Sequence, residues 1–362
     1  MADPHITAPP RVDVSTLSNY LKIAVQPIFE KDIILAGLKA HGRLSFGESG
    51  KTMSWPVKFR RRDVTEAEGY AQAIGYPQTN VHQMAKLPWR RIRLGESITR
   101  FEKLANKNEA AIFDSTGKVL DDSVEDFMAA FKLKFFKDGG ATGSRSLHGL
   151  ESMFSHGGVI SGDAKVGDPN DTYAELHTDL GYYGGDWTAD SSEAWPTGKG
   201  DSEYKFFSPL IVDSTNTNWT ASTKTLPNTW QECFAFAIAY QQVIQESAFD
   251  LILMSPLRLL AAKQSLESTQ RFELTQNSKL TEIGFRTMNY EGVELMDQYG
   301  VTDGVCYMLT WQKMALRCMQ KQLVDISQDT DIRDSTELID LDFFGNYQFD
   351  SPAFFAKILD IS

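Results

Sequence analysis

The chain has 362 residues, enough for two domain-sized units around a sizeable core. Hydrophobic residues make up 42% and charged residues 23%, proportions that exclude a disordered chain. Acidic residues outnumber basic ones, 48 against 36, for a net charge of −12. This balance argues against a protein whose main task is wrapping nucleic acid, and it makes free copies soluble and mutually repulsive.

The opening "MADPHITAPPRVDVSTLSNY" has no apolar signal core, and no run approaches the roughly eighteen apolar residues of a membrane helix. The Asn218-Trp219-Thr220 sequon therefore carries no weight. Cys233, Cys306 and Cys318 form no CxxC pair and each sits in an apolar stretch. They are expected as small buried side chains in a chain made in a reducing cytosol. Residues 15–39 read as helical pieces broken near Pro27. Leu17, Tyr20, Leu21 and Ala24 mark one face, and Ile28, Phe29, Ile33, Ile34, Leu35 and Leu38 continue it.

"FGESGKTMSWPVKFRRR", residues 46–62, resembles the end of a phosphate loop. A phosphate loop needs glycine, four spacers, then Gly-Lys-Ser/Thr opening a helix. Here the position five before Gly50 is Ser45, and the residues after Thr52 alternate. Trp55, Val57 and Phe59 point one way, Lys58, Arg60 and Arg62 the other. That is the period of a strand, and Pro56 opposes a helix. Without a helix there are no converging amides for phosphate, so "GESGK" reads as a turn feeding a strand.

"AKLPWRRIRLGES", residues 85–97, repeats the pattern, with Trp89, Arg90, Arg91 and Arg93 among Ile92 and Leu94. Between the two basic strands lies a stretch rich in Gly, Ala and small polar residues. This predicts a long hairpin over residues 45–98. If about twenty residues run out and return, the arm reaches about 60 Å at ~3.3 Å per residue. One reading lays it on a neighbouring copy, whose acidic groups would meet Lys58, Arg60, Arg61, Arg62, Arg90, Arg91 and Arg93. The other packs it on its own domain with its arginines solvated.

"SITRFEKLANKNEAAIF" reads as helical, and "DDSVEDFMAAFKLKFFKDGG" more clearly so. There Ser123 and Asp126 resemble a capping box, Val124, Phe127, Met128, Phe131 and Phe135 recur at helical spacing, and Gly139-Gly140 ends the run. Residues 155–227 lose periodicity and predict short strands and long loops. His177, Asp179 and Asp186 lie there, but their spacing matches no standard metal site. Periodicity then returns. "PNTWQECFAFAIAYQQVIQES" predicts a helix, "FDLILMS" a buried strand, and "SPLRLLAAKQSLEST" a helix capped by Ser255 with Pro256 at its first position. Helix, strand, helix is an α/β layer. "TEIGFRTMNYEGVELM", "GVCYMLTWQKMALRCM" and "FFGNYQF" read as further strands, and "SPAFFAKILDIS" as a docked terminus. The scattered histidines, His5, His41, His82, His148, His156 and His177, form no catalytic or metal signature.

Taken in order, these parts resemble the major capsid proteins of tailed double-stranded DNA bacteriophages, with the α+β fold first seen in phage Hong Kong ninety-seven. The resemblance covers nearly the whole chain, most clearly residues 15–154 and 227–360. It rests on "LSNYLKIAVQPIFEKDIILAGLKAHGRLSFGESGKTMSWPVKFRRR", "SRSLHGLESMF" and "FDLILMSPLRLLAAKQSLESTQRFEL" in that sequence. The resemblance implies an N-terminal arm over residues 1–44 and an extended loop over residues 45–98 lying on an adjacent subunit. It implies a peripheral domain over residues 99–154 with a spine helix at 118–138, and a mainly axial domain over 155–310 with a loop-rich insertion. Residues 311–362 would return to the periphery.

The implied function is structural: self-assembly into an icosahedral shell of pentamers and hexamers around phage DNA, with neither cofactor nor catalysis. Trp55, Lys58, Arg60, Arg61, Arg62, Trp89, Arg90, Arg91 and Arg93 would form the subunit interface. Other implied partners are scaffolding, portal and decoration proteins and non-specific DNA contact, with no membrane. The product would be a virion capsid assembled in host cytoplasm. Residues 64–82 hold no lysine, the nearest being Lys58 and Lys86, so no lysine–asparagine cross-link is expected. The short arm also predicts no large fused scaffolding segment. A bacterial nanocompartment shell of the same fold and a soluble α/β oligomeric enzyme stand as alternatives. Size, the loop-rich insertion and the opening stretch favour the phage shell.

Overall fold

The structure is a computed structural model that describes residues 32–59, 80–99, 109–160, 163–182, 205–221, 223, 226–267, 288–331 and 336–360. The chain starts with helix α1 (Ile33–Ala40), the short strand β1 (Leu44–Ser45), and strands β2 (Thr52–Lys58), β3 (His82–Pro88) and β4 (Arg90–Ile98). Helix α2 (Glu109–Lys134) follows, then β5 (His156–Ile160), β6 (Asp163–Pro169), β7 (Thr172–Tyr173), β8 (Leu176–His177) and β9 (Leu210–Asp213). Next come α3 (Leu226–Gln245), β10 (Leu251–Met254), α4 (Pro256–Glu267), β11 (Met288–Tyr290), β12 (Val293–Asp297) and β13 (Cys306–Leu309). The last elements are β14 (Met314–Cys318), β15 (Asp325–Asp331), β16 (Thr336–Phe349) and β17 (Ala356–Leu359).

Two sheets organise these elements. The first has the order β1-β14-β16-β15, with β4 also paired to β16. Strand β16 is long enough to serve three partners. Its first half lies between β15 and β4, and its second half runs beside β14. Alternation sets its faces: Ile339, Leu341 and Phe343 are buried, while Leu338, Asp340, Asp342 and Phe344 face outwards. The buried face meets the phenylalanine stripe of α2. Phe131 packs edge-on to Phe343 at 4.9 Å, and Phe135 packs on Tyr347 at 5.0 Å. Each such pair contributes about 0.5–1.5 kcal/mol beyond its area.

The second sheet has the order β11-β12-β10-β13-β17-β9-β6-β5. Strand β10, sequence LILM, is buried at every position, as a strand paired on both edges and covered on both faces must be. From α3, Cys233, Phe234, Ala237 and Ile238 reach the core beside this sheet. Ser255 caps α4, its Oγ accepting from the Arg258 amide at 3.3 Å, with Pro256 at the first helical position.

Several expectations change. Ser123 does not start a helix: α2 already begins at Glu109, and the Ser123 hydroxyl donates to the Val119 carbonyl one turn back at 2.7 Å. A second basic strand does exist, but it leaves the hairpin. β2 pairs with β3 from Thr52↔Pro88 to Lys58↔His82, and after Pro88 the chain turns and gives β4 to β16. The terminus docks, as the sequence suggested, with β17 in the second sheet between β13 and β9. Its residues Ala356, Lys357 and Ile358 are buried there. All three cysteines are free and buried, and burial pushes the thiols of Cys233 and Cys318 up to about 12. The predicted helical pieces before residue 32 lie outside the described residues.

Candidate assembly interface

The supposed phosphate loop is a turn. Gly50 has φ +127°, a backbone region that L side chains rarely adopt, and a strand begins at Thr52. The Trp89 indole N–H closes this turn by donating to the Gly50 carbonyl at 3.1 Å.

The ribbon β2–β3 has two unlike faces. On the inner face Met53, Trp55, Val57, Ala85 and Leu87 join the main core. The Trp55 Nε1 donates to the Asp350 carbonyl at 3.1 Å, its ring lies 6.3 Å from Tyr173, and the Lys86 amide donates to the Ala174 carbonyl at 2.9 Å. On the outer face Ser54, Pro56, Lys58, His82, Met84 and Lys86 are exposed. Just before the ribbon, Arg317 Nε grips Glu48 at 2.6 Å, and Arg43 bonds the Met314 carbonyl at 3.0 Å and Asp350 at 3.1 Å. The base of the ribbon is therefore held tightly to its own chain.

Of the nine residues expected at the interface, six lie within the described residues. Lys58 is exposed on the ribbon's outer face, while Arg60, Arg61 and Arg62 lie outside the described residues. Trp55, 6% exposed, and Trp89 serve the chain's own packing. Arg90 turns inwards and donates to the Gly139 carbonyl at 3.2 Å and the Ser144 carbonyl at 3.5 Å.

Arg91 and Arg93 face outwards, but their acidic partners are in this chain. Arg91 forks onto Asp342 with Nε–Oδ1 2.7 Å and Nη2–Oδ2 2.5 Å, and its guanidinium stacks 4.9 Å from the centre of the Phe344 ring. Arg93 Nε meets Asp340 Oδ1 at 2.5 Å. The hydrogen bonds to Asp342 and Asp340 respectively raise the pKa of each arginine. Sequence reasoning missed these carboxylates, although "LIDLDFF" alternates apolar and acidic residues at strand period.

Elsewhere the chemistry is thin. His177 Nδ1 lies 3.7 Å from Asp179 Oδ2, and among the described residues no group of three metal-ligating side chains converges. No described helix is long and apolar enough to cross a membrane.

No protein-family model matches the sequence, and no curated protein matches it. Solved structures do. The capsid asymmetric unit of cyanophage A-1(L) is 12% identical and superposes with a TM-score of 0.59, covering 90% of this chain and 92% of that one. The capsid of the native GTA particle, computed with C5 symmetry, is 9% identical with a TM-score of 0.52, covering 90% of this chain and 91% of that one. The capsid of the empty GTA particle is 8% identical with a TM-score of 0.53, covering 90% of each chain. The chain thus has the α+β fold of phage capsid subunits along nearly its whole length.

Proposed function

We propose that this protein is a major capsid subunit that assembles with many copies of itself into a closed icosahedral shell around phage DNA. The observation that carries this reading is the fold, shared over 90% of the chain with the cyanophage capsid subunit. The ribbon supports it further. Its base is fastened to the body while its outer face stays exposed, as suits a part that reaches a neighbour. The work of such a protein lies in many modest contacts repeated by symmetry, with charge guiding register more than supplying affinity. The same reading makes it a virion component, assembled in host cytoplasm, without catalysis or cofactor.

Expression of the full chain in bacteria, followed by negative-stain electron microscopy, tests this. Closed particles of uniform size are the expected result, and a small soluble oligomer would contradict it. Nuclease-protected DNA inside particles recovered from infected cells supports the phage shell. Protein cargo in its place would move the assignment to a nanocompartment of the same fold.

A further inference from the structure

Arg90 stands where the chain leaves the ribbon and turns into the body. Its terminal nitrogens donate to the Gly139 and Ser144 carbonyls at 3.2 and 3.5 Å, and among the described residues it makes no ion pair. Among the described residues four buried side-chain polar atoms lack a hydrogen-bond partner, and three of them are Arg90 Nε, Ser146 Oγ and His148 Nε2. All three belong to Arg90 or to the loop that Arg90 grips. Buried polar atoms are almost always paired, so such a concentration marks the place of an occupant.

The surroundings are fixed from every side. The Ser144 hydroxyl donates to the Asp138 carbonyl at 2.7 Å, and the Ser146 amide donates to Ser144 Oγ at 3.3 Å. The His148 amide donates to Asn346 Oδ1 at 2.9 Å, and Asn346 Nδ2 donates to the Pro88 carbonyl at 3.1 Å. Loop, β16 and ribbon exit are thereby laced together. Burial and then the Arg90 charge lower the His148 pKa to about 4, so the imidazole is neutral and the guanidinium is close to it. The nearby carboxylate of Asp138 is engaged elsewhere, its Oδ1 accepting from the Gly140 and Ala141 amides at 2.7 and 3.1 Å.

The chemistry of the three atoms selects the occupant. Arg90 Nε–H can only donate, the Ser146 hydroxyl can rotate to donate, and a neutral imidazole donates from Nε2 in one of its two tautomers. A water molecule would satisfy such groups but leave the arginine charge without a counter-charge. Space is short: an added Cβ at Gly139 would lie 2.5 Å from the Leu147 carbonyl oxygen. A monatomic anion fits these limits better than phosphate.

We propose that Arg90 Nε, Ser146 Oγ and His148 Nε2 hold one halide ion, of chloride size, that ties the ribbon exit to the loop after α2. The site does not depend on the shell reading, and either can stand without the other.

The full chain is melted at neutral pH and fixed ionic strength while sodium gluconate is exchanged for sodium chloride, and the line width of the chloride nuclear resonance is followed in parallel. The parent is expected to gain about 2–4 °C in a saturable manner and to broaden the chloride line. Ser146→Ala is expected to raise the half-saturating chloride about threefold to tenfold by both readings. Arg90→Gln is expected to abolish both responses. Should Arg90→Gln not fold, Ser146→Ala decides alone. A parent whose melting and line width ignore the exchange would overturn the proposal and put water in the site. Equal responses from parent and Ser146→Ala would overturn it as well, placing the anion elsewhere.

Discussion

The fold holds His148 in its neutral form. Burial and then the nearby Arg90 charge hold it down to about 4 from its ordinary 6.5, with Asp138 opposing. Between those values the unfolded chain binds the extra proton and the folded chain does not. Stability therefore falls as pH drops from 6.5 to 4, by about 3 kcal/mol in all. Denaturant unfolding at stepped pH is expected to show this slope, and His148→Gln is expected to flatten it. Asp32 has the opposite sign. Burial raises its pKa against the Lys132 charge, the Ile34 and Leu35 amides and Gln298, so its charged form opposes folding at neutral pH. It also caps α1, accepting from the Ile34 amide at 3.1 Å. Asp32→Asn keeps the cap and is expected to melt at or above the parent temperature at pH 7. Asp32→Ala is expected to lose about 1 kcal/mol.

At the scale of elements, the ribbon depends on Trp55. Trp55→Phe removes the bond to the Asp350 carbonyl and is expected to cost about 1 kcal/mol. Trp55→Ala also opens a cavity and is expected to cost about 3–5 kcal/mol in an unfolding titration. Gly149 fixes the turn after α2 just as firmly: an added Cβ would lie 2.3 Å from the Phe135 carbonyl, so Gly149→Ala is expected to leave no folded protein. Local patterns made much of this legible. The alternation of Met53, Trp55 and Val57 marked β2, the LILM run marked β10, and Ser255-Pro256 marked the start of α4. The in-chain partners of Arg91 and Arg93 were harder to find, because register between strands about 250 residues apart in sequence follows from the packed core and not from either strand alone. Ser123 misled because a serine inside a helix can bond back to its own preceding turn.

At the scale of the whole molecule, the order of elements was legible and their division between two sheets was not. A strand such as β17 shows its apolar residues in the sequence but not which of two sheets it closes. Subunits of mature particles are expected to run as intact single bands on denaturing gels, given the absence of lysine between residues 64 and 82, whereas ladders of covalent oligomers would contradict this. Replacing Arg60, Arg61 and Arg62 with glutamate is expected to abolish particles while the isolated chain keeps its melting temperature. The central claim is that this chain completes its surface with copies of itself. A cryo-electron microscopy reconstruction of the expressed protein tests it most directly. The account predicts a closed shell in which Lys58, Met84 and Lys86 of each copy are covered by another copy. A monodisperse single chain with that ribbon face open to solvent would contradict it.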